Sequence, residues 1–322
     1  MNWHIFAFVL ALVISSVTTP WVRKLAIRLN VIVQPGGRRV HSAPMPLWGG
    51  IAIYAAFAIP CLIVFAFAGQ KLNLGTAMVG ILVAGAVVVI VGLLDDMKEF
   101  SAIIQVAGII GAAFILTEFG VKIEFVTNPF GHPPIWAATG ILSTIVTIMW
   151  IFAVTKTVDF MDGLDGLAAG IGAIAAGVLA IMGYYSTQPH VALIAAALCG
   201  ACIGFLRFNF NPAKIFMGTG GSQFIGFTLA ALSIIGLFKV AAAMAIALPI
   251  LIFGVPIFDG IFVVVKRIIN RRPIHAADRS HLHHRLLERG LTHKQAVIVI
   301  YAICIATAGT ALIIVLFINH KP

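Results

Sequence analysis

Long apolar runs separated by short polar connections make up most of the chain. A helix that crosses a bilayer needs about 20 apolar residues. Ten segments approach or meet that length: roughly 4–22, 47–69, 75–94, 101–119, 135–155, 163–184, 189–206, 221–238, 241–263 and 296–318. This pattern predicts an all-α polytopic integral membrane protein with about ten transmembrane helices. The first run has no basic stretch before it and no small-residue cleavage site after it, so it reads as a retained helix rather than a signal peptide. The connection 120–134, GVKIEFVTNPFGHPP, alternates Val121, Ile123 and Phe125 with polar residues ahead of Asn128, Pro129 and Gly131. That alternation predicts a short structural hairpin. Residues 1–322 read as a single transmembrane domain, with 264–295 as a polar arm.

Composition agrees with the pattern. The 322 residues are 61% hydrophobic and 10% charged, and the mean hydropathy is +1.07; a soluble globule carries about 25% charged residues. Cys61, Cys199, Cys202 and Cys304 all lie in apolar segments and read as buried free thiols. Cys199 and Cys202 form a CxxC, but no strand–helix context accompanies it, which argues against a redox role.

Charge placement says more than its sum. Ten spans put both termini on one side and the five odd-numbered connections on the other. Those five connections hold 17 of the 21 Lys and Arg residues; only Lys71, Lys122, Lys239 and Lys321 fall on the opposite side. Basic residues stay in the cytoplasm, so the odd connections are expected to be cytoplasmic and both termini extracytoplasmic, in an inner or plasma membrane. The net charge of +10 therefore reflects topology, and the expected partners are membrane lipids rather than nucleic acid. Nine of the eleven acidic residues lie in or beside the same connections, leaving Glu118 and Glu124 outside. Ionisable groups gathered at helix ends on one face point to a cytoplasmic active site. A transport pathway would place them at mid-depth.

Four constellations carry candidate chemistry. The first is VGLLDDMKEFSA, residues 91–102, where Asp95 and Asp96 follow an apolar run. They mark either a polar helix terminus or a functional pair. Two adjacent like charges raise each other's pKa unless a cation neutralises them, which suits Mg²⁺, or one base beside one metal-orienting group. The second is TKTVDFMDGLDGLAAG, residues 155–170, with Asp159, Asp162 and Asp165 three apart. On a helix start they would share one slowly turning face. N-capping explains one of the three, and a helix N-terminus there would favour phosphate.

The third is FNFNPAKIFMGTGGSQFIG, residues 208–226. Asn209 and Asn211 can hydrogen-bond a base or sugar and Phe216 offers a stacking face. Gly218, Gly220 and Gly221 read as a phosphate-cradling loop ahead of the eighth helix. The fourth is ADRSHLHHRLLERG, residues 277–290, with His281, His283, His284, Arg279 and Arg285. Zinc binding and a headgroup-binding basic helix compete there with contacts to a diphosphate, which the surrounding basic residues favour. Arg38 and His41, in the loop 34–50, fit lipid phosphate and the topology rule equally well.

The motifs GLLDD, DFMDGLDGLAAG, NFNPAKIFMG, VPIFD and DRSHLHHRLLERGLTHKQA resemble, in order, those of the bacterial polyprenyl-phosphate N-acetylhexosamine-1-phosphate transferases of the WecA/TagO type, within glycosyltransferase family 4. The resemblance runs from about residue 34 to 296. It implies transfer of GlcNAc-1-phosphate from UDP-GlcNAc to undecaprenyl phosphate with release of UMP, an early membrane step of a cell-envelope polysaccharide. It also implies Mg²⁺ as cofactor, with Mn²⁺ as a substitute, and homodimers occur in the family. By resemblance, Asp95 and Asp96 handle the lipid phosphate, with Asp95 also near the metal. Asp162 acts in catalysis and Asp165 binds the donor. Asp159 stands beside the metal, where many relatives have Asn. Asn209 and Phe216 contact uridine, and His281, His283, His284 and Arg279 contact the donor diphosphate and sugar.

The chain departs from the family at Thr219, where FMG is followed in relatives by a metal-ligating Asp, and at Leu47 and Trp48, where relatives often carry Arg. Three accounts of Thr219 stand open: Asp159 supplies the missing charge, the protein is a non-catalytic relative that binds donor or carrier lipid, or the residue was changed deliberately. A neutral hydroxyl is a weaker Mg²⁺ ligand than a carboxylate. Low turnover is the expectation, and Thr219→Asp is expected to raise the rate of radiolabel transfer; an already fast native protein that gains nothing would contradict the defect.

Overall fold

In a computed structural model, the described residues are 2–34, 44–70, 72, 74–126, 136–137, 140–236, 250–270 and 281–319. They form a helical bundle: α1 Trp3–Arg28, α2 Gly49–Ala68, α3 Gly75–Lys98, α4 Ala102–Glu118, α5 Ile141–Phe160, α6 Leu167–Tyr185, α7 Pro189–Asn209, α8 Gly218–Gly236, α9 Gly254–Ile269, α10 Leu282–Glu288 and α11 His293–Asn319. Two short antiparallel pairs complete it. β1 (Ile32–Val33) pairs with β2 (Met45–Pro46), and β3 (Phe125–Val126) with β4 (Trp136–Ala137).

Eight of the helices are long and apolar enough to cross a membrane: α1, α2, α3, α5, α6, α7, α8 and α11. The predicted fourth span is α4, apolar but only 17 residues long. The first nine residues of the predicted ninth span, 241–249, lie outside the described residues. Its end overlaps α9, which continues past it to Ile269 with Phe258, Ile261, Phe262, Val265, Ile268 and Ile269 exposed and Asp259 and Arg267 buried.

Three predicted boundaries shift for physical reasons. α5 starts at Ile141 because Trp136 and Ala137 are taken by the strand pair. α6 starts at Leu167, four residues later than the apolar run predicts. Gly163 and Gly166 favour a turn over a helix, so Asp159 ends α5 while Asp162 and Asp165 sit in the turn; the three do not share a helix face. α8 starts at Gly218, so the expected glycine loop is the first helical turn.

α8 is the buried centre of the bundle, packed on α2, α3, α5, α6 and α7. Small residues bring these helices close, the mode that serves in lipid where apolar burial gives no net driving force between helices. A side chain at Gly92 would collide with the Gly220 backbone, so α3 and α8 touch main chain to main chain. α1 buries Ala7, Ala11, Ser15, Thr19, Val22 and Ala26, largely against α7, and Ser15 Oγ donates to the Ala201 carbonyl at 2.8 Å. Its opposite side exposes Ile5, Val9, Val13, Val17 and Trp21, as a lipid-facing surface does.

Candidate active site

Asp95 and Asp96 lie on the last turn of α3, whose C-cap Glu99 is left-handed with φ 47°. A helix C-terminus carries partial negative charge, so two carboxylates there need donors. Asp95 has them. Phe100 N donates to Oδ1 at 2.9 Å, and Gln105 Nε2 lies 3.1 Å from both oxygens. Asp96 turns to the start of α8, where Thr219 N donates to Oδ1 at 2.9 Å. Its carboxylate occupies the space a Cβ on Gly218 would fill, and Gly218 has φ +71°. The glycine thus admits the carboxylate to the positive end of α8. Asp96 Oδ2 is buried and has no hydrogen-bond partner among the described residues.

Asp159, on the last turn of α5, accepts from Ser222 Oγ at 2.5 Å and Gln223 Nε2 at 3.3 Å, and pairs with Lys156 Nζ at 2.6 Å. Asp165 Oδ2 accepts from Asn211 Nδ2 at 2.9 Å and Ala213 N at 3.0 Å, which ties the 161–166 turn to the segment after α7. Asn209 is buried and bonded to the backbone: Gly166 N donates to its Oδ1 and its Nδ2 donates to the Ile215 carbonyl. It fixes the two loops together, with one N–H and one lone pair of its amide left over at the cavity wall. Tyr301 of α11 donates to the Gly166 carbonyl at 2.5 Å and holds the same turn from the other side.

The histidines divide. His281 caps α10, 7% exposed, with Nδ1 2.7 Å from Asp259 Oδ2; Leu282 N donates to the other oxygen at 2.6 Å. His283 stacks on His281, packs on Gly163 and is 1% exposed. Burial first, then the adjoining His284 and His281, push its pKa down to about 3, against the opposing pull of Asp259. It is neutral at physiological pH. His284 reaches the cavity. Arg285 lies over the Phe262 ring at 5.0 Å. Arg38, His41 and Arg279 lie outside the described residues.

These elements surround a cavity of about 980 Å³ at one end of the bundle, where α3, α5 and α7 end and α4, α6, α8 and α11 begin. Its wall includes Asp95, Asp96, Glu99, Asp159, Asp162, Asp165, Asn209, Phe216, Thr219, Ser222, His284 and His293. Six acids face one space, and no Lys or Arg among the described residues lines it. Asp162 N donates to the Asp159 carbonyl at 3.1 Å, and its carboxylate faces the cavity. Loss of water raises its pKa well above its ordinary value, and the charges of Asp159, Asp96 and Asp165 add to the rise.

The open oxygens of Asp96 and Asp162 suit a hard cation. Mg²⁺ commonly takes one or two carboxylates and completes its shell with water and phosphate. Among the described residues no group of three or more His, Cys, Asp or Glu side chains is placed to hold a metal ion, so the protein's own share of such a site is limited to one or two carboxylates.

Sequence reasoning overlooked Gln105, Gln223, Tyr301 and His293 as parts of this end of the bundle, and it placed Lys156 and Asp259 at this face without a role in the site. Gln105 carried a signal, as a lone amide near the start of an apolar span, and Asp259 ends the VPIFD motif.

The fold and cavity define a polytopic membrane protein with an acidic site built at helix ends. Residues 78–237 match glycosyl transferase family 4. The chain is 36% identical, over 93% of its length and 81% of the relative, to a probable undecaprenyl-phosphate N-acetylglucosaminyl 1-phosphate transferase of Bacillus subtilis (strain 168). It is 34% identical, over 90% and 77%, to a decaprenyl-phosphate N-acetylglucosaminephosphotransferase of Mycolicibacterium smegmatis. To the undecaprenyl-phosphate alpha-N-acetylglucosaminyl 1-phosphate transferase of Escherichia coli (strain K12) it is 26% identical, over 87% and 75%. The chain belongs to this family of polyprenyl-phosphate N-acetylglucosamine-1-phosphate transferases.

Asp162 generates a stability prediction. Its raised pKa means that the folded chain holds the proton more tightly than the unfolded chain. Stability therefore falls as pH rises from about 4 through the raised value. In metal-free detergent buffer at about pH 8, Asp162→Asn is expected to melt roughly 2–4 °C above the native protein, with the gap closing toward about pH 4. A gap independent of pH would contradict the assignment.

Proposed function

We propose that this protein transfers GlcNAc-1-phosphate from UDP-GlcNAc to undecaprenyl phosphate at the cytoplasmic face of the inner or plasma membrane, releasing UMP. The observation that carries the reading is the convergence of Asp95, Asp96, Asp159, Asp162 and Asp165, from two separate segments, on one cavity at a bundle end. The family relationship supports the reaction class. The odd-numbered connections, rich in Lys and Arg, support the cytoplasmic orientation.

The donor is water-soluble and the acceptor phosphate lies at the membrane surface, so a cavity at the helix ends is open to both. An oxygen of the lipid phosphate attacks the sugar-linked phosphorus of the donor. The new P–O bond joins the two phosphates. The bond to the bridging oxygen breaks, and its electron pair leaves on UMP. Phosphate monoesters lose their second proton at a pKa of about 6, so the nucleophile needs no strong base, and catalysis is a matter of position and charge.

Asp96 and Asp162 would hold Mg²⁺, with Mn²⁺ as a substitute. The ion supplies positive charge to the phosphoryl oxygens as negative charge develops on them. Asp165, with Asn211, fixes the loop that faces the donor. Phe216 offers its ring to the uracil. His284 faces the cavity as a hydrogen-bonding group for the sugar or diphosphate. His281, oriented by Asp259, and His283 hold α10 in place behind it. The Thr219 amide serves by positioning Asp96.

The test is radiolabel transfer from UDP-GlcNAc to undecaprenyl phosphate by purified protein. Expected are a Mg²⁺-dependent lipid product, loss of the product on chelation, and a roughly hundredfold or greater loss of rate in Asp96→Asn and Asp162→Asn. Donor and acceptor binding without any transfer under these conditions would favour the non-catalytic relative.

A further inference from the structure

The acids of the cavity differ in what already touches them. Asp95 has Phe100 N and Gln105 Nε2 on its oxygens. Asp159 has Ser222 and Gln223 as donors and Lys156 as an ion pair. Asp96 Oδ2 is buried without a partner among the described residues, and the Asp162 carboxylate lines the cavity, where it feels the charges of Asp159, Asp96 and Asp165. With Asp165 held by Asn211 and Ala213, Asp96 and Asp162 are the aspartates of the cavity with an oxygen left open among the described residues.

Lys156 links the satisfied pair. It does not line the cavity. From behind the wall its Nζ reaches Asp159 Oδ2 at 2.6 Å and Gln105 Oε1 at 3.4 Å, and it lies 5.4 Å from the Phe160 ring centre. Gln105 thereby receives Lys156 on its carbonyl while giving its amide to Asp95. The side chains of Lys156 and Asp159 are 17% and 15% exposed, so water screens the pair little. Asp159 is close enough to Asp96 and Asp162 for its charge to act on both.

We propose that Lys156 withholds Asp159 from the divalent cation, so that the cation binds firmly only together with the donor's phosphates. The inference rests on the function proposed above. Two open carboxylates leave a hard cation short of charged oxygens, and affinity in such sites follows the number of charged ligands. A nucleotide diphosphate supplies the missing ones. Without the lysine, Asp159 would offer a third carboxylate to the same space. Lys156 is a positioning residue in this scheme, because it touches neither substrate nor cation.

Mn²⁺ binding, followed by electron paramagnetic resonance on the purified full-length protein with and without UDP-GlcNAc, tests this without any turnover. The native protein is expected to bind Mn²⁺ weakly alone and at least tenfold more tightly with UDP-GlcNAc. Lys156→Met is expected to bind Mn²⁺ alone about tenfold more tightly than the native protein, and Lys156→Arg like it. Asp159→Asn, which removes a nearby charge but no ligand, is expected to weaken the substrate-free affinity by no more than about threefold. Equal substrate-free affinity in Lys156→Met and the native protein would overturn the inference alone. So would a tenfold loss in Asp159→Asn, which also covers the case of a Lys156→Met variant that does not fold. No Mn²⁺ binding by the native protein even with UDP-GlcNAc would overturn the metal-dependent function and the inference together.

Discussion

Asp96 stands between the C-terminal end of one helix and the N-terminal end of another. α3 delivers it where its own helix dipole is unfavourable, and α8 receives it where the dipole is favourable. That contact requires the two helices to meet closely, and it requires no side chain at Gly218. Gly92 against Gly220 meets the first need, one turn further in. The small-residue interface between α3 and α8 is therefore part of the site, and so is the centrality of α8. If that interface opened, Asp96 would keep its charge and lose the N–H group that holds it.

The same logic extends outward from α8. Asp159 of α5 is held by Ser222 and Gln223 of α8, Lys156 ties Asp159 to Gln105 of α4, and Gln105 returns to Asp95 of α3. Four helices are cross-linked by polar groups near one membrane surface, where unpaired charge is costly. Each carboxylate in this network is either fully hydrogen-bonded or aimed into the cavity. The bonded ones give the site its shape, and the open ones give it a use for a cation and for phosphates.

Much of this was legible in the sequence. Apolar runs of bilayer length located the helices, because a membrane span must satisfy its backbone internally and face lipid or other helices. The asymmetric placement of Lys and Arg gathered the acids at one face. Asp95, Asp96, Asp159, Asp162, Asp165 and Thr219 were all identified, and they do line one space. Hydropathy could not separate Gly218–Gly221 as a loop from the same residues as a helical turn, since the answer depends on Gly50 and Gly92 lying opposite. Periodicity put three aspartates on one helix face; two glycines divided them between a helix end and a turn. Asn209, read as a ligand-binding amide, lines the cavity and also braces two loops through Gly166 and Ile215, a role with no local signal. The partnership of Gln105 and Lys156 is 51 residues apart and had no local signal.

The central claim is that open carboxylates from α3 and from the turn after α5 share a cation and the donor's phosphates. The most direct measurement is an anomalous difference map from a crystal of the native protein grown with Mn²⁺ and UDP. The account predicts a single strong peak between the carboxylates of Asp96 and Asp162, in contact with the diphosphate. A peak bound through Asp95 or Asp159 with Asp96 turned away, or a diphosphate seated outside this cavity, would contradict it.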